Sequence, residues 1–424
     1  MDQDCWSGDD DAPSAAVADA FRAERAVVLA ALIGYVGDFQ VAEDAVQDAF
    51  TDALSAWNRT GIPFNRRAWL MVAAKRRAID RIRRGQSQTD RGRRLALAME
   101  RLQQEDSPVS ENGSIPDERL RLIFTCCHPT LDLSARVALT LRAVGGLTTT
   151  EIARAFVVAE PTMGKRIVRA KRKIAVAGIA YRVPDEAELP SRLDGVLGVI
   201  YLIFNEGYKA SGGERLVRGE LCLEAIRLGR LLAELMPDDA EVWGLLGLML
   251  LHDARRLARV DDQGRYVALA EQDRTYWNSE QLDDGLDALT RSVALRRPGE
   301  YMLQAAITAL QIRGADEGET DWAQIVQLYG ALNALRPSAV IEVNHAAAIG
   351  FARGPQAGLD SLAPLLADPR LVHYQPLHAT HADLLLRAGN HVEAAAAYSR
   401  AIELTGNEVE RAELKRRLQT LSAT

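Results

Sequence analysis

LTTTEIARAFVVAEPTMGKRIVRAKRKI, residues 147–174, is the stretch from which the rest of the chain is best read. Thr148-x-x-Glu151 is a capping box and predicts a helix from Thr149, with Ile152, Ala153 and Phe156 on its apolar face. Ala153 sits where two crossing helices need a small residue. Glu160-Pro161 predicts a second start, because proline costs nothing in a first helical turn. No acid lies between Pro161 and Lys173, whereas Lys165, Arg166, Arg169, Lys171, Arg172 and Lys173 do, leaving Ile167 and Ile174 for the inner side. A short helix, a tight turn and a basic helix is the geometry that places a recognition helix in a major groove. Thr162, Lys165 and Arg166 then reach base edges, and Arg169 and Lys171 reach phosphates. The competing reading is a solvated basic face on an ordinary helical hairpin.

Upstream, AEDAVQDAFTDALSAW (42–57) is an amphipathic helix. Ala45, Val46, Ala49, Phe50, Ala53, Leu54 and Trp57 line one side, and Glu43, Asp44, Gln47, Asp48 and Asp52 the other. RRAWLMVAAKRRAIDRIRR (66–84) is opposite in sign, with Arg66, Arg67, Lys75, Arg76, Arg77, Arg81, Arg83 and Arg84 against Asp80 alone. A basic helix with an aromatic suits a protein that holds a DNA backbone while bases unstack. Trp69 taken singly reads as core, with Leu70, Ala73, Ala74 and Ile79. The charge cluster reads otherwise, since so many bases would repel one another without an anionic partner.

The 424 residues exceed one ordinary domain, and an apolar fraction of 48% with 26% charged residues is that of a folded protein. A net charge of −7 excludes a generic polyanion binder and makes the uneven spread of charge the informative feature. Cys5, Cys126, Cys127 and Cys222 are too few and scattered for a disulfide scaffold. The opening MDQDCWSGDDD has no signal-peptide character, and the longest apolar run, VWGLLGLMLL (242–251), is half a membrane span. A cytoplasmic location, with no membrane partner, is the expectation. Strand alternation is scarce and apolar spacings of three and four dominate, so the fold class is all-α. Turn-rich stretches divide the chain into helical domains at 15–85 and 117–180, a flexible linker at 86–116 with a short helix at 95–104, and a helical block at 190–424.

The first two blocks, in this order, resemble the two conserved domains of extracytoplasmic-function (ECF) sigma-70 family RNA polymerase sigma factors. Residues 42–50 look like the helix that docks on the β′ clamp helices of core RNA polymerase, which makes Asp44, Gln47 and Phe50 the polymerase-binding candidates. The run from Trp69 to Arg84 resembles the helix that melts and reads the −10 element, implicating Trp69, Lys75, Arg76, Asp80, Arg81 and Arg84. Arg76 stands where many members carry asparagine. Residues 160–171 are similar to the −35 recognition helix, with Pro161 where glycine is frequent and Gly164 where a basic or polar residue is frequent. The resemblance implies region 2 and region 4 sigma domains, promoter DNA as partner, and the β′ clamp helices and β flap of core polymerase as docking points. It also implies a linker that threads towards the active-site and RNA-exit channels.

The third block reads as paired helices. HADLLLRAGNHVEAAAAYSRAIEL (381–404) follows the tetratricopeptide (TPR) pattern, and HAAAIGFARGPQAGLDSLAPLL repeats it 35 residues earlier, Ala347 matching Ala382, Gly354 matching Gly389 and Ala357 matching Val392. Such TPR-like arrays present concave surfaces to a peptide or protein ligand; the competing reading has the helices only packing against the sigma domains. The arrangement looks like the sigma group with a C-terminal tetratricopeptide-like extension, of which LDGVLGVIYLIFNEGY (193–208) and AEQDRTYWN (270–278) resemble typical segments.

Cys126-Cys127-His128 has no second ligand pair at zinc-like spacing, so packing is the reading preferred over a metal or a thiol sensor. Glu271, Asp273 and Arg274 are read as a local ion-pair and hydrogen-bond network. No P-loop, H-E-x-x-H, G-x-S-x-G or G-x-G-x-x-G occurs; no enzyme activity, cofactor or metal is expected. The leading reading is a sigma factor that opens promoter DNA, its repeat domain serving regulation. The alternative is a helix-turn-helix duplex-binding regulator with a TPR-like interaction domain that is not a sigma subunit.

Overall fold

A computed structural model describes residues 12–85, 115–156, 158–179, 181, 184, 188–209, 216–314 and 320–422. Most of the expected linker, with its short helix at 95–104, and Cys5 lie outside the described residues. The chain divides into two units, 1–199 and 200–424. Among the described residues the fold is all-α, with short 3-10 turns and one isolated bridge, Val260 to Tyr266.

The first unit begins with α1 (Ala12–Val36), α2 (Phe39–Thr60) and α3 (Arg66–Gly85), which pack on one another. Helix α2 starts at Asp38, whose carboxylate accepts from the N–H groups of Gln40 and Val41 at 2.9 and 3.1 Å. It stops at Gly61, where φ of 81° suits a residue without a Cβ. Ala42, Ala45, Ala49 and Ala53 are fully buried and let the neighbouring helices approach closely. Trp57 closes the core, its ring meeting the Trp69 ring edge-on with 5.7 Å between centroids.

Two faces differ from the sequence expectation. Leu54 is exposed, whereas Glu43, assigned to the solvent side, is buried. On α3 the buried seam is Leu70, Met71, Ala74, Ala78 and Ile82, while Ala73 and Ile79 are only half-buried. The seam follows the four-residue row along the helix, which drifts away from positions 73 and 79.

Helices α4 (Ile115–Cys126), α5 (Leu133–Ala143), α6 (Thr149–Ala155) and α7 (Glu160–Val176) complete this unit, α4 packing against α1. Tyr181 adds a tie, its hydroxyl donating to the carbonyl of Ala30 at 2.8 Å.

The second unit takes in the C-terminal part of α8 (Leu189–Tyr208) and then α9 (Gly219–Leu235), α10 (Ala240–Asp253), α11 (Ser279–Ala294), α12 (Glu300–Arg313), α13 (Trp322–Leu335), α14 (Ala339–Arg353), α15 (Pro355–Leu366), α16 (Gln375–Arg387), α17 (His391–Leu404) and α18 (Glu408–Ser422). Most of these helices pack on a neighbour in sequence, whereas α12 packs mainly on α10. Gly354 and Gly389, the matched repeat positions, both take a positive φ, 97° and 82°, at helix-to-helix turns. Gly350 and Gly358 mark a close crossing of α14 and α15, where a Cβ on Gly358 would lie 2.9 Å from the Cα of Gly350. Among the described residues, segment 270–278 is held by hydrogen bonds and a ring contact. Asp273 accepts from the N–H and hydroxyl of Thr275 at 2.9 and 2.8 Å, Arg274 lies over the Trp277 ring, and Asn278 caps α11.

Candidate nucleic-acid interface

The capping box closes as its residue types require: Thr148 N–H donates to Glu151 Oε2 at 2.6 Å and Glu151 N–H to Thr148 Oγ1 at 3.1 Å. Proline lies in the first turn of α7. Met163, Ile167, Ala170 and Ile174 are the buried residues of α7, at spacings of four, three and four. That pattern turns Thr162, Lys165, Arg169, Arg172 and Lys173 to solvent and leaves Arg166 half-buried. Thr162, Lys165, Arg166 and Arg169 face the start of α5 across a groove of about 400 Å³. Asp132 caps α5 there, accepting from Ser134 Oγ at 2.7 Å and Ala135 N–H at 2.8 Å, and these bonds hold its carboxyl below the usual range.

Lys171 stands apart from that row. Its Nζ donates to Glu43 Oε2, and only 11% of its side chain is exposed. Glu43 also accepts from Arg25 Nη2 at 3.1 Å and lies 3.3 Å from Arg142 Nε. Burial alone would raise the Glu43 carboxyl, but Lys171, Arg25 and Arg142 together hold it below the usual range. Arg25 is buried as well, and its Nη1 caps the end of α5 by donating to the carbonyls of Arg142 and Ala143 at 2.6 and 3.1 Å. Burial pulls its guanidinium down to about 10. Three cations, from α1, α5 and α7, thus meet at one buried carboxylate of α2.

Part of the basic cluster on α3 meets anionic partners within the chain, so not all of its charges need an external one. Arg81 bonds to Asp48 at 2.8 and 3.0 Å and approaches Asp44 at 3.4 Å. Arg77 Nε bonds to Asp52 at 2.7 Å, and Arg67 bonds to Glu24 at 2.5 Å. These pairs are partly exposed, so they contribute little and can exchange for other anions. Lys75 sits 4.3 Å from the centroid of the Tyr35 ring, Arg76 is exposed, and Asp80 and Trp69 are half-buried. The side chain of Arg84 lies outside the described residues.

Of the three polymerase-binding candidates, Gln47 is exposed, Asp44 is half-buried beside Arg81, and Phe50 is buried with its ring edge-on to Phe21 at 5.0 Å. Phe50 therefore braces α2 from inside rather than lying on its surface. Two residues escaped the sequence reading. Glu43 gives no local sign of burial. Phe64, fully exposed in the turn between α2 and α3, could have been noticed as an aromatic stranded in GIPFN.

Cys126 and Cys127 are buried, and burial pushes both thiols up, Cys127 to about 11, so both stay protonated at neutral pH. Among the described residues no group of three His, Cys, Asp or Glu is placed to hold a metal ion, and no helix is long and apolar enough to cross a membrane.

Residues 20–88 match the family model for Sigma-70 region 2, residues 121–174 that for Sigma-70 region 4, and residues 192–293 a family of unknown function. An uncharacterized protein of Rhizobium meliloti (strain 1021) is 40% identical over 406 residues, 94% of each chain. The probable ECF RNA polymerase sigma factor SigI of Mycobacterium tuberculosis (strain ATCC 25618 / H37Rv) is 27% identical over 220 residues, covering 50% of this chain and 74% of that protein. Residues 20–88 and 121–174 thus match, in order, regions 2 and 4 of the sigma-70 family, whose members are non-enzymatic transcription initiation factors.

Proposed function

We propose that the chain is a sigma factor of the ECF class that brings core RNA polymerase to specific promoters, reads the −35 element with α7 and opens the −10 element on α3. The observation that carries this reading is the split of α7: one side is anchored by Met163, Ile167, Ala170 and Ile174, and the other presents Thr162, Lys165 and Arg169 to solvent. An anchored helix with a free basic face is what major-groove recognition needs. Polymerase docking is assigned to the exposed side of α2, through Gln47 and Asp44, with Phe50 setting the pose of the helix. Lys75, Arg76 and Arg81 are assigned to the −10 strand, and Phe64 joins them as a stacking platform for an unstacked base. The domain limits 15–85, 86–116, 117–180 and 190–424 are kept as the working division.

The C-terminal helices are read as TPR-like and as the seat of regulation or protein interaction, and the protein as cytoplasmic. The paired glycine turns at Gly354 and Gly389 support the repeat reading.

Run-off transcription with purified core polymerase on a pool of promoter fragments tests the proposal. Specific transcripts that vanish with Lys165→Ala/Arg166→Ala support it. Failure of the chain to bind core polymerase at all would sink it and favour a duplex-binding regulator.

A further inference from the structure

Where the polypeptide leaves α10 it buries two arginines around one tyrosine. Arg255 and Arg259 are 8% and 5% exposed. Their guanidinium carbons lie 5.8 and 3.6 Å from the centroid of the Tyr208 ring, which is itself stacked on Phe204. Two like charges gathered on one ring repel each other and have both lost much of their water, an arrangement that is costly without a counter-ion.

Among the described residues the nearby carboxylates face other groups. Asp253 accepts from Gln281 at 3.0 Å through Oδ2, while its Oδ1, which makes no hydrogen bond, lies 3.5 Å from Arg256 Nε, and Glu206 is paired with Arg218. Among the described residues neither Arg255 nor Arg259 has a carboxylate partner. Arg259 donates to the carbonyl of Tyr208. Arg255 Nη2 lies 3.2 Å from His252 Nδ1, and its buried Nε has no partner. Because a guanidinium only donates, His252 Nδ1 must accept. The proton then sits on Nε2, which faces Thr308 Oγ1 at 3.3 Å, while the Thr308 hydroxyl donates to the carbonyl of Gln304 at 2.9 Å. Burial and the two guanidiniums keep this imidazole neutral. His252 therefore adds no charge and holds Arg255 in place. Tyr208 and His252 are part-exposed, so the cluster reaches solvent.

We propose that Arg255 and Arg259, gathered on the Tyr208 ring, bind a small molecule through an oxyanion, a carboxylate or a phosphate. The planar fork of a guanidinium matches either group. The site goes beyond the sigma assignment and is tested without polymerase or DNA, so the two readings fail separately.

The test uses the full chain in inorganic phosphate, succinate or chloride at matched ionic strength. At about 10 mM, phosphate or succinate should raise the melting midpoint by about 3 °C over chloride, saturably. The same anion should protect Arg255 and Arg259 from phenylglyoxal in a peptide map. Arg255→Gln, shown by circular dichroism to be folded, should lose the shift. A response to phosphate alone assigns a phosphorylated ligand, and to succinate alone a carboxylate. If neither anion exceeds chloride and neither protects, the proposal is overturned. It is equally overturned if folded Arg255→Gln keeps the full shift. Should that variant not fold, the peptide map of the unmodified sequence decides between the same two outcomes.

Discussion

Glu43 of α2 and Lys171 of α7 are hydrogen-bonded partners although 128 residues separate them in sequence. Glu43 follows Ala42 at the start of the segment proposed for polymerase docking, and Lys171 ends the segment proposed for −35 recognition. One carboxylate therefore fixes the relation between the two kinds of helix, and while the bond holds, Lys171 is kept from DNA phosphates.

Glu43→Gln keeps the shape of the side chain and removes its charge, leaving Arg25, Arg142 and Lys171 buried around a neutral amide. Removing one member of a buried ion cluster costs about 3–5 kcal/mol, because the remaining charges lose their compensation. Urea unfolding of the full chain should show a loss of that order in the transition of the first unit. The double variant Glu43→Met/Lys171→Met should recover part of the loss, since it removes both signs together. A loss below about 0.5 kcal/mol for Glu43→Gln, the size of an ordinary surface change, would mean the junction is not formed in solution.

The same junction sets a pH dependence. The folded carboxyl of Glu43 lies below its ordinary value because three cations outweigh the effect of burial. A depressed pKa stabilises the fold fully above the unfolded value of about 4.3, and the contribution is lost as pH falls through the lower, folded value. Unfolding of the unmodified chain and of Glu43→Gln should therefore differ at neutral pH and converge in acid. A difference that stays constant from neutral pH down into strong acid would remove Glu43 ionisation as its cause.

Local signals were readable and tertiary pairing was not. Thr148 and Glu151 specify their own hydrogen bonds over three residues, and Gly354 and Gly389 specify turns through their own backbones, so neither needs distant information. The charges of α3 are another matter. Sequence gives their sign but not whether the neutralising partner is a phosphate or Asp44, Asp48 and Asp52 on the adjacent helix, because i to i+4 spacing says nothing about what crosses it. Glu43 is the extreme instance. It sits among acids on what reads as a polar face, and only the arrival of Arg25, Arg142 and Lys171 from three other helices makes it a buried residue. Leu54 errs the opposite way, apolar by type but left outside because the neighbouring helices cover only the seam through Ala53 and Trp57.

The proposed reading of α7 divides its exposed cations by role. Loss of a phosphate contact lowers affinity evenly across sequences and flattens the log–log salt dependence by about 0.9 per contact. Arg169→Ala should do this. Lys165→Ala, nearer the helix start, should cost about 1–3 kcal/mol at the preferred −35 sequence and relax discrimination at one position. Filter binding or anisotropy over a salt series, with matched and shuffled −35 duplexes, separates the two. Identical behaviour of both variants on both duplexes would assign Lys165 to the backbone.

Phe64 and Trp57 give the sharpest contrast between function and stability, because they lie close in sequence, one in a turn and one inside α2, yet in opposite environments. Trp57 is 1% exposed in the first core, so Trp57→Ala should cost about 3–5 kcal/mol of stability. Phe64 lies outside any packing, so Phe64→Ala should change stability by no more than about 0.5 kcal/mol. If its ring stacks on a base freed from the −10 duplex, the same substitution should weaken capture of the open strand by about 1–3 kcal/mol. Permanganate reactivity of −10 thymines in complexes with core polymerase reads that loss, and urea unfolding reads the stability. Full reactivity with Phe64→Ala would take the residue out of strand capture, whereas lost reactivity with unchanged stability can only come from a contact made with DNA or polymerase.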